Sequence, residues 1–323
     1  MASRLWAAFV GGALVMAGAP LAFAQPALDW PVDCVAGKTC FIEDYFDADP
    51  TEGRQSDFAC GINSRDGHRG TDIALLSFDA LETGVAVVAA APGRVVNIRD
   101  GMEDDRLMRG VTAQNACGNA VLLDHGEGWQ TLYCHLRLGS VRVSQGQDIP
   151  SGTPLGLVGL SGQTNHPHLH LTVLHKGQAV DPFDPEPDGS CETASQGLWK
   201  TAPVYYGTGL VTAGFSDRVP SFEEVRTGAA RIEDGHRTAP LVVYAFAAHA
   251  EHGDMLQIEA RAPDGQVIFR QRSLLRDPQV STMRAYGKKA PSSGWKAGDY
   301  LGEVTLFRDD TVIAHRFAHV SIK

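Results

Sequence analysis

From Thr71 onward the chain reads as a series of short β-runs rather than helices. Apolar and β-branched residues cluster in Thr71–Leu75, Val85–Ala89, Gly93–Ile98, Ala120–Leu123 and Gln130–His135. Glycine and proline separate these runs, and the 3.6-residue periodicity of an amphipathic helix is weak throughout. Val85–Val96 and Val143–Gly156 look like matching halves of a small β-barrel, their spaced glycines permitting tight turns between short strands. Biotinyl and lipoyl carrier domains share such segments, but no lysine occupies the hairpin tip here, which argues against a carrier. Asp100–Asn115 is polar and charged, so it is expected to be an exposed loop inserted between strands, placed to wall a cleft.

Asp181-Pro182-Phe183 and the following Pro185–Gly189 mark the end of a first domain. Beyond them, Leu241–Ala247, Met255–Ala260, Val267–Arg270, Tyr300–Phe307 and Val312–Val320 alternate or are β-rich. Pro263-Asp264-Gly265 and Arg308-Asp309-Asp310 provide hairpin turns. This spacing predicts an Ig-like antiparallel sandwich over residues 205–323, with Trp295 and Tyr300 in its core and no cluster of catalytic groups. The expected organisation is all-β: 1–24 a signal peptide, 25–60 an irregular lead-in tied down by cysteines, 61–200 a first domain of small antiparallel sheet with a barrel-sandwich character, and 205–323 the sandwich.

The ends and the composition bound the compartment. Arg4, the small and apolar run Leu5–Leu21, and Ala22-Phe23-Ala24 before Gln25 read as a cleavable export signal. No later segment is apolar enough to span a bilayer. The formal charge is −10 over 323 residues, and loss of Arg4 makes the exported chain one unit more acidic. An acidic chain does not bind nucleic acid through a broad positive surface. Six cysteines without a Cys-x-x-Cys pair read as disulfides of an exported protein, periplasmic or secreted. Cys34 and Cys40 bracket a short turn and are expected to pair; the rest are assigned as Cys60 with Cys117 and Cys134 with Cys191. On a strand, Cys134 is expected to face away from the side shared by Tyr133 and His135.

The chemistry lies in the histidines. Seven of the twelve fall between His68 and His175. Residues i and i+2 of a strand share a face, roughly 6.5 Å apart, so His168 and His170 are expected to enter one cleft, as are Tyr133 and His135. Gly67-His68-Arg69-Gly70-Thr71-Asp72 adds an imidazole and a carboxylate. Two imidazoles and a carboxylate from separate segments can hold a catalytic Zn²⁺ with a position open for water, and this chain offers such a set with spare imidazoles beside it. No His-Glu-x-x-His occurs, so a glutamate base of that arrangement is absent. His125, His166, His175, His249, His252, His315 and His319 lack a partnering carboxylate pattern and read as structural, rim-lining or solvated.

Taken together, residues 61–183 resemble the LytM-type, M23 family of zinc metallopeptidases, which includes lysostaphin-like peptidoglycan endopeptidases. The motifs fall in the family order: His68-x-x-x-Asp72, Tyr133-x-His135-Leu136, the glycine-spaced run Val143–Gly152, Gly156–Gly162, and His168-x-His170. The resemblance implies that His68, Asp72 and His170 ligate zinc and that His135 and His168 are the unligated catalytic pair. It implies an endopeptidase acting on peptides of bacterial peptidoglycan, with a non-catalytic wall-binding or hydrolase-activating module as the alternative. The C-terminal sandwich would then position the enzyme or bind wall or a protein partner. Two departures stand out. Asn165-His166 precedes Pro167 where the family has Thr-Gly or Ser-Gly, and Thr172 stands at an often acidic position; both are expected to affect substrate fit.

Overall fold

The computed structural model describes residues 25–191 and 197–323; the expected signal segment 1–24 lies outside them. Ten strands and a short helix make the first half. They are β1 (Cys40–Asp44), β2 (Thr71–Leu75), α1 (Phe78–Thr83), β3 (Ala86–Val88), β4 (Gly93–Arg99) and β5 (Asn119–Gly126). Then come β6 (Trp129–Leu136), β7 (Asp148–Ile149), β8 (Pro154–Leu157), β9 (His168–His175) and β10 (Gln178–Val180). The main sheet runs β1-β2-β9-β6-β5-β4-β7, with β10 also on β9, and its pairs are antiparallel. The two glycine-spaced halves pair with each other, β3 on β8 and β4 on β7.

One face of this sheet is apolar and continuous. Ile73, Val121, Tyr133, Leu169, Leu171 and Val173 are fully buried there, with Leu28, Trp199 and Phe183 closing over them. The lead-in is therefore less irregular than its composition suggests. Leu28 and Val32 enter the core, and β1 extends the sheet past β2.

The second half contains β11 (Gly209–Ser216), α2 (Phe222–Thr227), β12 (Asp234–Gly235), β13 (Leu241–Ala250) and β14 (Met255–Arg261). It continues with β15 (Val267–Leu274), β16 (Gln279–Lys288), β17 (Gly298–Arg308) and β18 (Thr311–Ile322). They form a three-stranded sheet, β11-β13-β16, and a five-stranded one, β12-β18-β17-β14-β15. Phe215, Val243 and Ala245 from the first and Ile258, Tyr300 and Val304 from the second share one core, in which Trp295 also lies. β11 and β16 escaped the sequence pattern because one is built of small residues and the other is largely solvated.

All six cysteines pair, as Cys34–Cys40, Cys60–Cys191 and Cys117–Cys134. The local bridge is as expected; the other two assignments are wrong. Cys117 leads into β5 and Cys134 lies on β6, its hairpin neighbour, so the hairpin itself brings them together. That leaves the lead-in and the domain end, Cys60 and Cys191, to close on each other. Among the described residues no helix is long and apolar enough to cross a membrane.

Candidate active site

The site is a consequence of register. β9 lies between β2 and β6, with Asp72 opposite His170 on one side and Cys134 opposite His170 on the other. Partners across a ladder point to the same side of a sheet. Asp72, His170 and Cys134 therefore share the face opposite the apolar core, and His168 joins them two residues away. Tyr133 does not: it is paired with Leu171 and fully buried in the core, its hydroxyl accepting from the Ala90 N–H at 2.8 Å. The expected orientations of Tyr133 and Cys134 are thus exchanged.

His135 reaches the cleft by leaving strand geometry. Its φ is +62°, which for a non-glycine residue costs on the order of 1–3 kcal/mol. The Cys117–Cys134 disulfide and a 2.8 Å hydrogen bond from the His135 N–H to the Cys117 carbonyl hold it there. His68 comes from the turn before β2. Gly70 lies between it and Asp72 because a Cβ at that position would sit 2.6 Å from the His170 ring.

Four imidazoles are each pinned through one nitrogen. His68 Nδ1 lies 2.7 Å from the Tyr45 carbonyl, which only accepts, so Nδ1 carries the proton and Nε2 offers its lone pair. His135 Nδ1 donates likewise to the Ser161 carbonyl at 2.8 Å. His168 Nδ1 donates to the His166 carbonyl at 3.1 Å, leaving a buried Nε2 with no hydrogen-bond partner, 3.7 Å from Asp72 Oδ1. His170 Nε2 lies 2.9 Å from the Thr172 hydroxyl. That residue, expected to bear on substrate fit, lines the cleft and touches the outer edge of a central imidazole. His170 Nδ1 is 2.7 Å from Asp72 Oδ1 and 3.1 Å from His68 Nε2. The donor atoms of His68, Asp72 and His170 all lie within 4.8 Å of one another.

Two imidazole nitrogens and one carboxylate oxygen are a donor set suited to zinc, with room for a further ligand. Asp72 has no exposed surface. Burial alone would raise its pKa, but His68, Arg65, His168 and His170 overcome this and hold the carboxylate well below its usual range. His135 is pushed well below the ordinary imidazole value by burial and by the neighbouring His168 and His170. Burial likewise lowers His168, to about 4. Both rings are consequently neutral at pH 7 and able to accept a proton. They stand together, ring centroids 4.7 Å apart.

The cleft has a volume of about 540 Å³ and is walled by Arg65, Met108, Gln163, Asn165 and His166 as well as the histidines described. Met108 belongs to the inserted loop, which does wall the cleft as expected. That loop is held from the far side, where Arg106 pairs with Asp299 at 2.7 Å and approaches His319 Nδ1 at 2.9 Å. His166 donates to the Glu43 carboxylate. Its own ring stacks on His168 with centroids 4.8 Å apart. The sequence reading missed Glu43, Asp44 and Arg65 in this neighbourhood. Arg65 could have been noticed, three residues before His68; the adjacent acids of β1 carry no motif.

Residues 66–182 match the sequence profile described as Peptidase family M23. This segment is a domain of that family. The peptidoglycan DD-endopeptidase ShyA of Vibrio cholerae is 30% identical over 114 residues, 35% of this chain and 22% of that protein. The cell division protein DipM of Caulobacter vibrioides is 42% identical over 71 residues, 20% of this chain and 11% of that one. The murein hydrolase activator EnvC of Escherichia coli is 33% identical over 99 residues, 31% of this chain and 20% of that protein. The alignments with these three relatives thus span between 11% and 22% of their length. Among solved structures, a zinc-containing peptidase from Vibrio cholerae aligns over 49% of this chain and 39% of its own, with 24% identity and a TM-score of 0.34.

Proposed function

We propose that this M23 protein is an exported zinc-dependent endopeptidase that hydrolyses peptide bonds in peptidoglycan stems or cross-bridges. The observation that carries this reading is the complete set of five groups on one sheet face. Three donor atoms converge, and two further neutral imidazoles stand beside them, each anchored through its outer nitrogen. In this reading His68, Asp72 and His170 hold the metal, while His135 and His168 act on the reacting groups. Zinc held there would polarise the scissile carbonyl and acidify the attacking water.

The chain's own groups account for the rest. His135, neutral and clamped at Nδ1, accepts the proton of the attacking water and passes it to the leaving amine. His168, with its free Nε2 aimed at the same space, is the alternative acceptor of that proton, and while it holds it the Nε2–H donates to the oxyanion before handing the proton to the departing nitrogen. The Tyr45 carbonyl and the Thr172 hydroxyl fix the rings of His68 and His170, as outer partners of metal ligands do. A module that only binds wall or activates another hydrolase would have no need of these five groups gathered in one cleft.

Three disulfides and relatives that act on the cell wall support a location outside the cytoplasm, reached through cleavage after Ala24. We read residues 205–323 as an Ig-like sandwich that orients the enzyme or meets wall or a protein partner. The decisive experiment is digestion of purified sacculi with zinc-loaded full-length protein, followed by identification of the soluble muropeptides. New amino termini at a stem or cross-bridge bond support the reading. Zinc-replete protein that releases none, yet stimulates a second hydrolase, would establish the activator instead.

A further inference from the structure

The five-stranded sheet of the C-terminal half sends one arginine out of its own framework. Arg316, on β18, places its guanidinium against β1, with Nη1 2.5 Å from Glu43 Oε1 and Nη2 2.9 Å from Asp44 Oδ1. Both carboxylates are almost completely buried, and a register shift at Ile42/Asp44 in β1 lets adjacent residues meet one guanidinium. From there the network continues in two arms. Asp44 Oδ2 accepts from Arg65 Nη1, and the same nitrogen donates to Asp72 Oδ2 at 2.6 Å. Glu43 Oε2 accepts from His166 Nε2, whose ring stacks on His168. The two arms therefore start at Arg316 and end at two different groups of the site, the Asp72 carboxylate and the His168 imidazole.

The arrangement has an electrostatic reason. Asp44 lies directly opposite Asp72 in the β1–β2 ladder, so two buried carboxylates face each other across adjacent strands, a destabilising pairing unless cations intervene. Arg65 is shared between them and is half exposed, 51% for the side chain. Arg316 supplies Asp44 and Glu43 with a second, better-buried cation, 22% exposed. Without it, Arg65 would be drawn toward Asp44 and away from Asp72, and Glu43 would be left on His166 alone.

We propose that Arg316 is a positioning residue for the active site, so that the C-terminal sheet completes the catalytic centre. This rests on the endopeptidase reading for its kinetic consequences, but not for its consequences on metal affinity. Arg316→Met should weaken zinc binding, measured by chelator competition on the full chain, by roughly 3- to 10-fold, less than the 10- to 100-fold for loss of a group bonded directly to a metal ligand, because Arg65 stands between Arg316 and Asp72. It should lower kcat on a soluble cross-linked muropeptide by a similar factor with little change in KM. Arg316→Lys, a point charge without the fork, should recover part of both losses. Arg270→Met, which breaks an ion pair with Glu259 far from the cleft, controls for general destabilisation and should leave zinc affinity and kcat unchanged.

If Arg316→Met does not fold, Glu43→Gln tests the second arm alone, with kcat reduced and zinc affinity kept. Zinc affinity and kcat within twofold of the wild type in Arg316→Met, or kcat within twofold in Glu43→Gln, would overturn the proposal. A wild type that binds zinc but cleaves nothing, with weakened zinc in Arg316→Met, would retain the positioning role and reject the endopeptidase.

Discussion

The two halves of the molecule are both β-structures with a single apolar core each, yet they treat polar groups in opposite ways. In the N-terminal sheet, β2 and β9 have both faces covered, and one of those faces carries Asp72, His168 and His170. In the C-terminal sheets, charged side chains sit mainly at the surface, as on β15 and β16. Burying a charge is costly unless it is paired and hydrogen-bonded. The first half meets that cost with a dense set of partners around the cleft, and in the second half, among the described residues, buried or partly buried charges such as Glu259, Asp254, Glu303, Arg308 and Arg316 sit in ion pairs. Of these, Arg316 pairs with acids of the other half. Dense buried polarity marks the half that carries the candidate site, and Arg316 is a point at which the other half reaches its acids.

The largest effect that would break this comparison lies in the ligand set. His68→Ala or Asp72→Ala should reduce muropeptide cleavage to background, because either leaves two donors where three converge. Residual activity above 1% of wild type in zinc-saturated buffer, about 2.7 kcal/mol of barrier by the tenfold-per-1.36 rule, would move the site elsewhere. Next come the two imidazoles proposed to work beside the metal without holding it. His135→Ala should lose roughly 10²- to 10⁴-fold in kcat, the usual contribution of a positioned acid or base.

The disulfide beneath His135 should matter less. Cys117→Ser with Cys134→Ser removes a bridge of sequence separation 17, for which loop-closure entropy gives a loss of about 3 kcal/mol. It also frees the positive-φ residue that follows. Denaturant unfolding should register the stability change, and kcat should fall further than for removal of Cys34–Cys40, which lies away from the cleft. Equal effects of the two removals on kcat would count against a clamp at His135.

How much of this was legible in the sequence follows the same division. His168 and His170 could be read because their spacing matches strand geometry and the alternation of β9 puts both toward the cleft, whereas His68, Asp72 and His135 were legible through the order of motifs shared with the M23 family. Alternation failed at Tyr133-Cys134-His135, where a positive φ shifts His135 out of phase and no local signal announces it. The disulfide partners failed because six cysteines carry no connectivity. Arg316 was invisible in principle: it stands between histidines on an ordinary strand, and only the approach of β18 to β1 gives it meaning. β11 and β16 were missed because small or solvated strands leave no apolar alternation.

A smaller effect sharpens the contrast between the halves. Burial lowers His315 to about 3, and burial with the nearby Arg106 lowers His319 to about 4. Because the folded values lie below the free one, the unfolded chain takes up these protons first. The stabilisation is complete above the free imidazole value near 6.5. It is lost as pH falls toward 4, by up to about 1.4 kcal/mol per pH unit for each histidine. His315→Gln with His319→Gln should flatten the acid limb of a thermal-stability profile between pH 6.5 and 4. An unchanged limb would assign acid sensitivity to the other half alone.

The central claim is a division of labour on one sheet face, with three groups that hold metal and two that work beside it. It is tested most directly by the zinc content of His135→Ala, measured by mass spectrometry of the metal after reconstitution and exhaustive dialysis. The account predicts one zinc per chain, as in the wild type, in a protein that no longer cleaves. A variant that has lost its zinc together with its activity would put His135 among the ligands and contradict the division.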